Sequence, residues 1–187
     1  SFATHSFQIV RWSLRREMLL ALMRLWDTNP KSIRMTAIAE DLRDEQFFSA
    51  LVARRATGMR SSAAGMTDCM RQALEPKRDE VLKLVRKDQN GGCGFGVLKK
   101  LQALRHERLA HRQTLPANAP RSDATDLEVE YFYADNLELV RLLLSLILAT
   151  AFDLSEAADV YRHHAKFFWA SARGERTQGH PNYRAPG

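Results

Sequence analysis

Cysteine is scarce in this chain, with two in 187 residues, Cys69 and Cys93. Neither stands in a CxxC pair or a Cys/His array, so the pattern offers no zinc site and no disulfide framework. Two scattered thiols fit a reducing compartment, and a cytoplasmic location is expected. Nine glycines and six prolines gather at a few breaks, which excludes collagen-like and low-complexity chains. No uncharged apolar run approaches ~18 residues, so no membrane span is expected. The longest such run, Leu142 to Phe152, is broken only by Ser145 and Thr150 and reads as a buried helix. The N-terminus lacks the basic-then-apolar order of a signal peptide. Strand signals are missing too. Valine and isoleucine are sparse, and no stretch alternates apolar and polar residues with period two.

What remains is a globular, helix-forming composition, 45% apolar and 27% charged, rich in Leu, Ala and Arg. A chain of this length suits one domain and buries roughly 70% of its unfolded surface, enough for a core without disulfides or metal. We expect an all-α, up-and-down bundle of five to six helices over residues 1–172 and a flexible tail over 173–187. The 28 Lys/Arg against 22 Asp/Glu give a net charge of +6, which permits a polyanionic partner without requiring one.

Helix one is expected over 7–26, with Leu14, Met18, Leu22 and Leu25 as its apolar stripe. Pro30 follows its end, and Ser32 is a candidate N-cap for a second helix continuing or restarting to about Arg55. Phe47 and Phe48 read as buried. Helix three is expected over 66–87, with Pro76 as a restart point and Val81, Leu82, Leu84 and Val85 inward. Asn90 to Gly96 holds four glycines in its last six positions. No Gly-Lys-Ser/Thr ending and no preceding strand accompany them, so the segment reads as a helix stop and turn, not a phosphate loop. Helix four is expected over 97–112 with Val97, Leu101 and Leu104 inward. Helix five spans 135–152 with Leu137, Val140, Leu144 and Ile147 inward, and helix six spans 154–172.

Charge is unevenly placed. From Lys99 to Arg121 six Lys/Arg (Lys99, Lys100, Arg105, Arg108, Arg112, Arg121) face one acid, Glu107. From Ser122 to Val140 six acids occur with no Lys or Arg. One reading is two solvated faces. The other is a basic strip for a phosphate backbone, with an acidic segment docked against it or against a partner.

The chemistry concentrates in Leu104-Arg105-His106-Glu107-Arg108-Leu109-Ala110-His111-Arg112. Arginine holds phosphate through a planar, permanently charged fork. Histidine titrates near neutrality and moves protons. Together they supply what metal-free phosphodiester cleavage of RNA needs, namely proton transfer at the 2′-hydroxyl and leaving oxygen and fixed cations for the extra negative charge. On a regular helix His111 lies about 40° from Glu107, about 60° from Arg108 and about 120° from Arg105. Glu107 is placed to orient His111; Lys99, Lys100, Arg108 and Arg112 are candidate phosphate contacts. The same residues on a plain surface helix would be Glu/Arg pairs beside a capping histidine.

This block resembles the signature of the HEPN superfamily, an Arg followed by a polar residue and then a His four to six positions beyond the Arg. Leu-Arg-His-Glu-Arg-Leu-Ala-His-Arg is similar to the Leu-Arg-Asp-Lys-x-x-Ala-His-Arg block of the AbiU-type, abortive-infection branch. Leu25-Trp26-Asp27 before Ser32 resembles that branch as well. The resemblance implies a helical bundle that pairs so two motifs face one cleft. It also implies metal-independent endoribonuclease activity that leaves 2′,3′-cyclic phosphate ends. Arg105 and His111 would be the catalytic pair, with His106 as the polar residue after the Arg and no cofactor. It further implies a toxin or phage-defence effector with RNA as substrate, a homodimer, and an antitoxin or regulatory protein as possible partner. The Tyr that some HEPN toxins carry two residues past the His is Gln113 here, so silencing by adenylylation at that position is not expected. A non-catalytic helical module that binds a protein or nucleic acid through 99–121 stands as the alternative. A helix-turn-helix regulator over 33–51 fits less well, for want of a tight Gly-containing turn.

Overall fold

The computed structural model describes residues 2–58, 65–105, 124–151, 153–172 and 184. Among them are seven helices and no strand: α1 (Phe2–Leu25), α2 (Met35–Arg43), α3 (Glu45–Gly58), α4 (Met66–Asp88), α5 (Phe95–Leu104), α6 (Asp126–Leu148) and α7 (Leu154–Ala172). The all-α expectation holds. The seventh helix comes from a break at Asp44. Its carboxylate accepts the Gln46 N–H at 2.8 Å, while its own N–H turns back to the Glu40 and Asp41 carbonyls. That ends α2 and caps α3 at one residue.

The described contacts form two compact units. One joins residues 1–15 to 153–187; the other is 16–152. In the first, the Phe7 ring meets Trp169 edge-on, with centroids 4.4 Å apart. Trp12, Tyr161 and Phe168 are well exposed there.

In the second unit α4 is the hub and packs against α2, α3, α5 and α6. Its Val81 and Val85 are fully buried, as expected. Pro76 does not interrupt it. The carbonyl that Pro76 leaves without a donor belongs to Gln72, and both residues are exposed, so water serves it. Of the stripe expected in α1, Leu22 is buried and Met18 and Leu25 pack partly against the core, joined by Leu19, Met23 and, just past the helix, Trp26; Leu14 is 62% exposed. In α6 the inward residues are Val129, Phe132, Asn136, Leu139, Leu142, Leu143 and Leu146, and the expected Ile147 is exposed. In the C-terminal half of α6 only Glu138, Arg141 and Ser145 are polar, so the apolar stripe is too wide for spacing to fix its centre. On the inward side lies a buried polar contact, Trp26 Nε1 donating to Asn136 Oδ1 at 2.8 Å. Phe48 is buried, with Arg78 stacked 4.1 Å from its centroid, whereas Phe47 is exposed.

Two helix starts differ from expectation. Ser32 does not cap α2. Its hydroxyl donates to Asp27 Oδ2, and the cap position falls to Arg34, which makes no side-chain cap bond. α6 begins at Asp126, nine residues before the expected start at Asp135, through a capping box. The Thr125 hydroxyl accepts the Glu128 N–H, and Glu128 returns to the Thr125 N–H. The glycine segment is the expected helix stop. Gly91 is left-handed at φ +87°, and the Gly94 N–H closes onto the Lys87 carbonyl at 2.9 Å. Among the described residues no helix is long and apolar enough to cross a membrane. A loop is expected over Thr57 to Gly65, but Thr57 and Gly58 belong to α3 and Gly65 precedes α4; 59–64, the expected linker at 115–120 and the tail apart from Arg184 lie outside the described residues.

Candidate functional site

α5 carries the start of the basic strip. Leu98 and Leu101 are buried against the core, which fixes where Lys99, Lys100 and Arg105 emerge. Lys99 is exposed and sits 5.3 Å from the Phe95 ring one turn back. Lys100 is engaged. Its Nζ donates to Glu128 Oε1 at 2.7 Å, and both side chains are partly buried. Lys100 first, and then the Thr125 backbone N–H, hold the Glu128 carboxyl below its ordinary range. The acidic segment therefore docks against the strip at this one described pair.

Arg105 follows the last residue of α5 with helical backbone angles, φ −59° and ψ −51°. It is half-buried, and its Nη1 donates to the Met23 carbonyl at 3.5 Å. Gln102 reaches the Trp26 carbonyl at the same distance. The end of α5 is thus moored to the C-terminal turn of α1. Beside it stands Asp27, a residue the spacing argument did not single out for the site. Its carboxyl is held below the usual range, first by the Asn29 N–H at 3.1 Å, then by the Ser32 hydroxyl and the Thr28 N–H, with Arg105 adding a through-space contribution. Its one signal in the sequence is the resemblance of Leu25-Trp26-Asp27 to the AbiU-type branch. His106, Glu107, Arg108, His111 and Arg112 lie outside the described residues.

A second set of ionisable groups surrounds the glycine turn. Asp88, at the end of α4, is 2% exposed. Burial, reinforced by the nearby Asp135, pushes its carboxyl up to about 6, against the opposing pull of Lys87. Lys87 is itself paired with Asp135, which raises its ammonium above the ordinary value. A Cβ at Gly94 would collide with the Asp88 carboxylate, so the turn is built around that acid. Among the described residues no group of three or more His, Cys, Asp or Glu is arranged to hold a metal ion.

The sequence profile of the AbiU2 family of HEPN proteins matches residues 1–168. No curated protein and no solved structure matches the chain. The match covers nearly the whole length, and the chain belongs to the HEPN AbiU2 family.

Proposed function

We propose that this AbiU2-family protein is a metal-independent endoribonuclease acting as a toxin or phage-defence effector. The observation that carries the reading is the family match over 1–168, taken together with the Arg105-His106 and His111 motif on the strip that α5 begins. In this reading the Arg105 guanidinium holds the scissile phosphate. A His111 imidazole takes the proton from the ribose 2′-hydroxyl as the 2′-oxygen bonds to phosphorus. The bond to the 5′-oxygen breaks, and that oxygen receives a proton from the second His111 of a paired cleft. The product is a 2′,3′-cyclic phosphate and a 5′-hydroxyl. Lys99, Arg108 and Arg112 lead the backbone in, and single-stranded or loop RNA fits best because its backbone can splay. The protein acts as a homodimer, with a regulatory protein restraining it, and is placed in the cytoplasm.

One observation favours the alternative, a helical interaction module. Arg105 contacts the Met23 carbonyl and Lys100 is held by Glu128, as expected of residues that build a surface. Incubating purified protein with mixed cellular RNA in EDTA separates the two. The nuclease reading expects cyclic-phosphate ends, lost in Arg105→Ala and His111→Ala variants that stay folded. Intact RNA in all three reactions, with RNA or a protein partner still retained, establishes the module instead.

A further inference from the structure

Fourteen large apolar side chains stand exposed among the described residues, and eight of them belong to the unit of residues 1–15 and 153–187. Four are on α1 and four on α7, led by Trp12 at 72% and Tyr161 at 76%. Ten successive residues of α7, Asp159 to Phe168, are exposed, which is every face of the helix for nearly three turns. A helix of this kind owes most of its stability to packing. Its covered end lies beyond them, where Ala170 is buried and Trp169 meets Phe7.

One stripe of α7 is built to be covered. At 100° per residue, Leu154, Ala158, Tyr161, Ala165 and Phe168 fall within an arc of about 80°. Ala170 lies about 180° from Tyr161, so the stripe faces away from the covered side. It carries no charge. Glu156, Asp159 and Lys166 sit at least about 140° from Tyr161. Arg162, at the edge of the stripe, is paired with Asp159. Along the stripe large and small residues alternate with the four- and three-residue steps of a helix–helix seam.

That alternation selects the occupant. Let a second α7 run antiparallel, with a two-fold axis at the level of His163. Tyr161 then lies opposite Ala165 of the second copy and Phe168 opposite its Ala158, each twice by symmetry. Every ring meets a methyl group, and the layers interdigitate. In a parallel pair ring would meet ring, alanine would meet alanine, and each charge would lie level with its own kind. Turned end for end, Asp159 comes within one residue of level with Lys166 of the second copy, on the same flank. A specific interface hides at least about 500 Å² on each side. Tyr161 and Phe168 bring roughly 300 Å² of that share, and Leu154, the alanines and the Arg162 stem lie along the same edge to supply the rest.

We propose that α7 is a homodimer seam, two copies of this chain pairing antiparallel with Tyr161 and Phe168 of each seated on Ala165 and Ala158 of the other. It rests on the nuclease reading for the homodimer and names its surface; the test reads association and not cleavage, so the two fail separately.

The test is the mass of the full chain in solution, by light scattering and sedimentation velocity over a concentration series. The wild type is expected to dimerise. Tyr161→Ala leaves a gap in the seam, and Ala165→Tyr sets ring against ring. Each alone is expected to raise the dimer Kd by about tenfold or more. Both positions are exposed in the single chain, and circular dichroism of each variant checks that its helices survive. The exchange within one chain, Tyr161→Ala/Ala165→Tyr, again gives each ring a methyl group and is expected to restore the dimer. Mixing the two single variants is expected to give a heterodimer, since a ring then faces an alanine in both layers. A monomeric wild type overturns the proposal, whether or not Tyr161 captures some other protein. A dimer indifferent to both single variants, or an exchanged variant as weak as either of them, overturns it as well.

Discussion

The indole N–H of Trp26 donates to the amide oxygen of Asn136 at 2.8 Å, and the amide of Asn136 donates in turn to the Phe132 carbonyl at 2.7 Å. Both residues are buried, so this chain of bonds ties the end of α1 to the middle of α6 with no water in reach. Asn136→Ala orphans a buried indole N–H and leaves a small cavity. It is expected to lower stability by about 2–3 kcal/mol in urea denaturation. Trp26→Phe, which leaves the Asn136 oxygen unpaired, is expected to cost a similar amount. A loss under 0.5 kcal/mol, roughly the surface-substitution range, would show that the bond does not set the α1–α6 register.

Asp88 gives stability a pH dependence of defined sign. Its carboxyl, ordinarily near 3.8, is raised to about 6 in the fold, so the folded protein holds this proton more tightly than the unfolded chain. Relative to a neutral side chain, Asp88 costs nothing below pH 3.8 and its full amount above about pH 6. Asp88→Asn should therefore be more stable than wild type by about 2 kcal/mol at pH 8, with the difference vanishing towards pH 4. Denaturation curves of the two proteins at pH 4, 6 and 8 read this directly. A difference that stays flat with pH sinks the assignment.

The glycine turn separates space from flexibility. A Cβ at Gly92 would run into the backbone carbonyls of Lys87 and Arg86, neither of which can move without breaking the end of α4. Gly92→Ala is expected to cost about 2–4 kcal/mol. Gly96 lies within α5 with nothing near a Cβ, and Gly96→Ala is expected to gain up to about 1 kcal/mol from helix propensity alone. Thermal melts in which both variants fall together would contradict the packing described for the turn.

The two lysines of α5 should separate in RNA binding. Lys99 is exposed and Lys100 is held by Glu128. If the strip tracks a phosphate backbone, Lys99→Ala should lower the salt slope of single-stranded RNA affinity by about 0.7. Lys100→Ala should leave the slope nearly intact and act on stability instead. Equal slope changes in a fluorescence-anisotropy salt titration would mean that Lys100 leaves its partner on binding.

Much of the fold was readable from particular residues. Val81 and Val85 fall on the inner face of α4 at i and i+4, and Leu98 and Leu101 flank the inner face of α5. α7 was placed to its ends because its flanks are polar and small. The misses have local causes. Acids before Asp135 looked like a charged segment, although Thr125 and Glu128 already spell a capping box. Asp44 among the charged residues Glu40, Asp41, Arg43 and Glu45 hid a cap. For the site, the motif was legible as a string of residues. Asp27 was not, because its neighbourhood with Arg105 depends on α5 closing onto the end of α1, a contact of 82 residues' separation at Met23.

Glu128 fastens two things with one carboxylate: Oε2 accepts the Thr125 N–H and Oε1 accepts Lys100. One carboxylate therefore couples the packing of α5 on α6 to the start of α6 itself, so a change at Glu128 would loosen a helix–helix contact and a helix cap together.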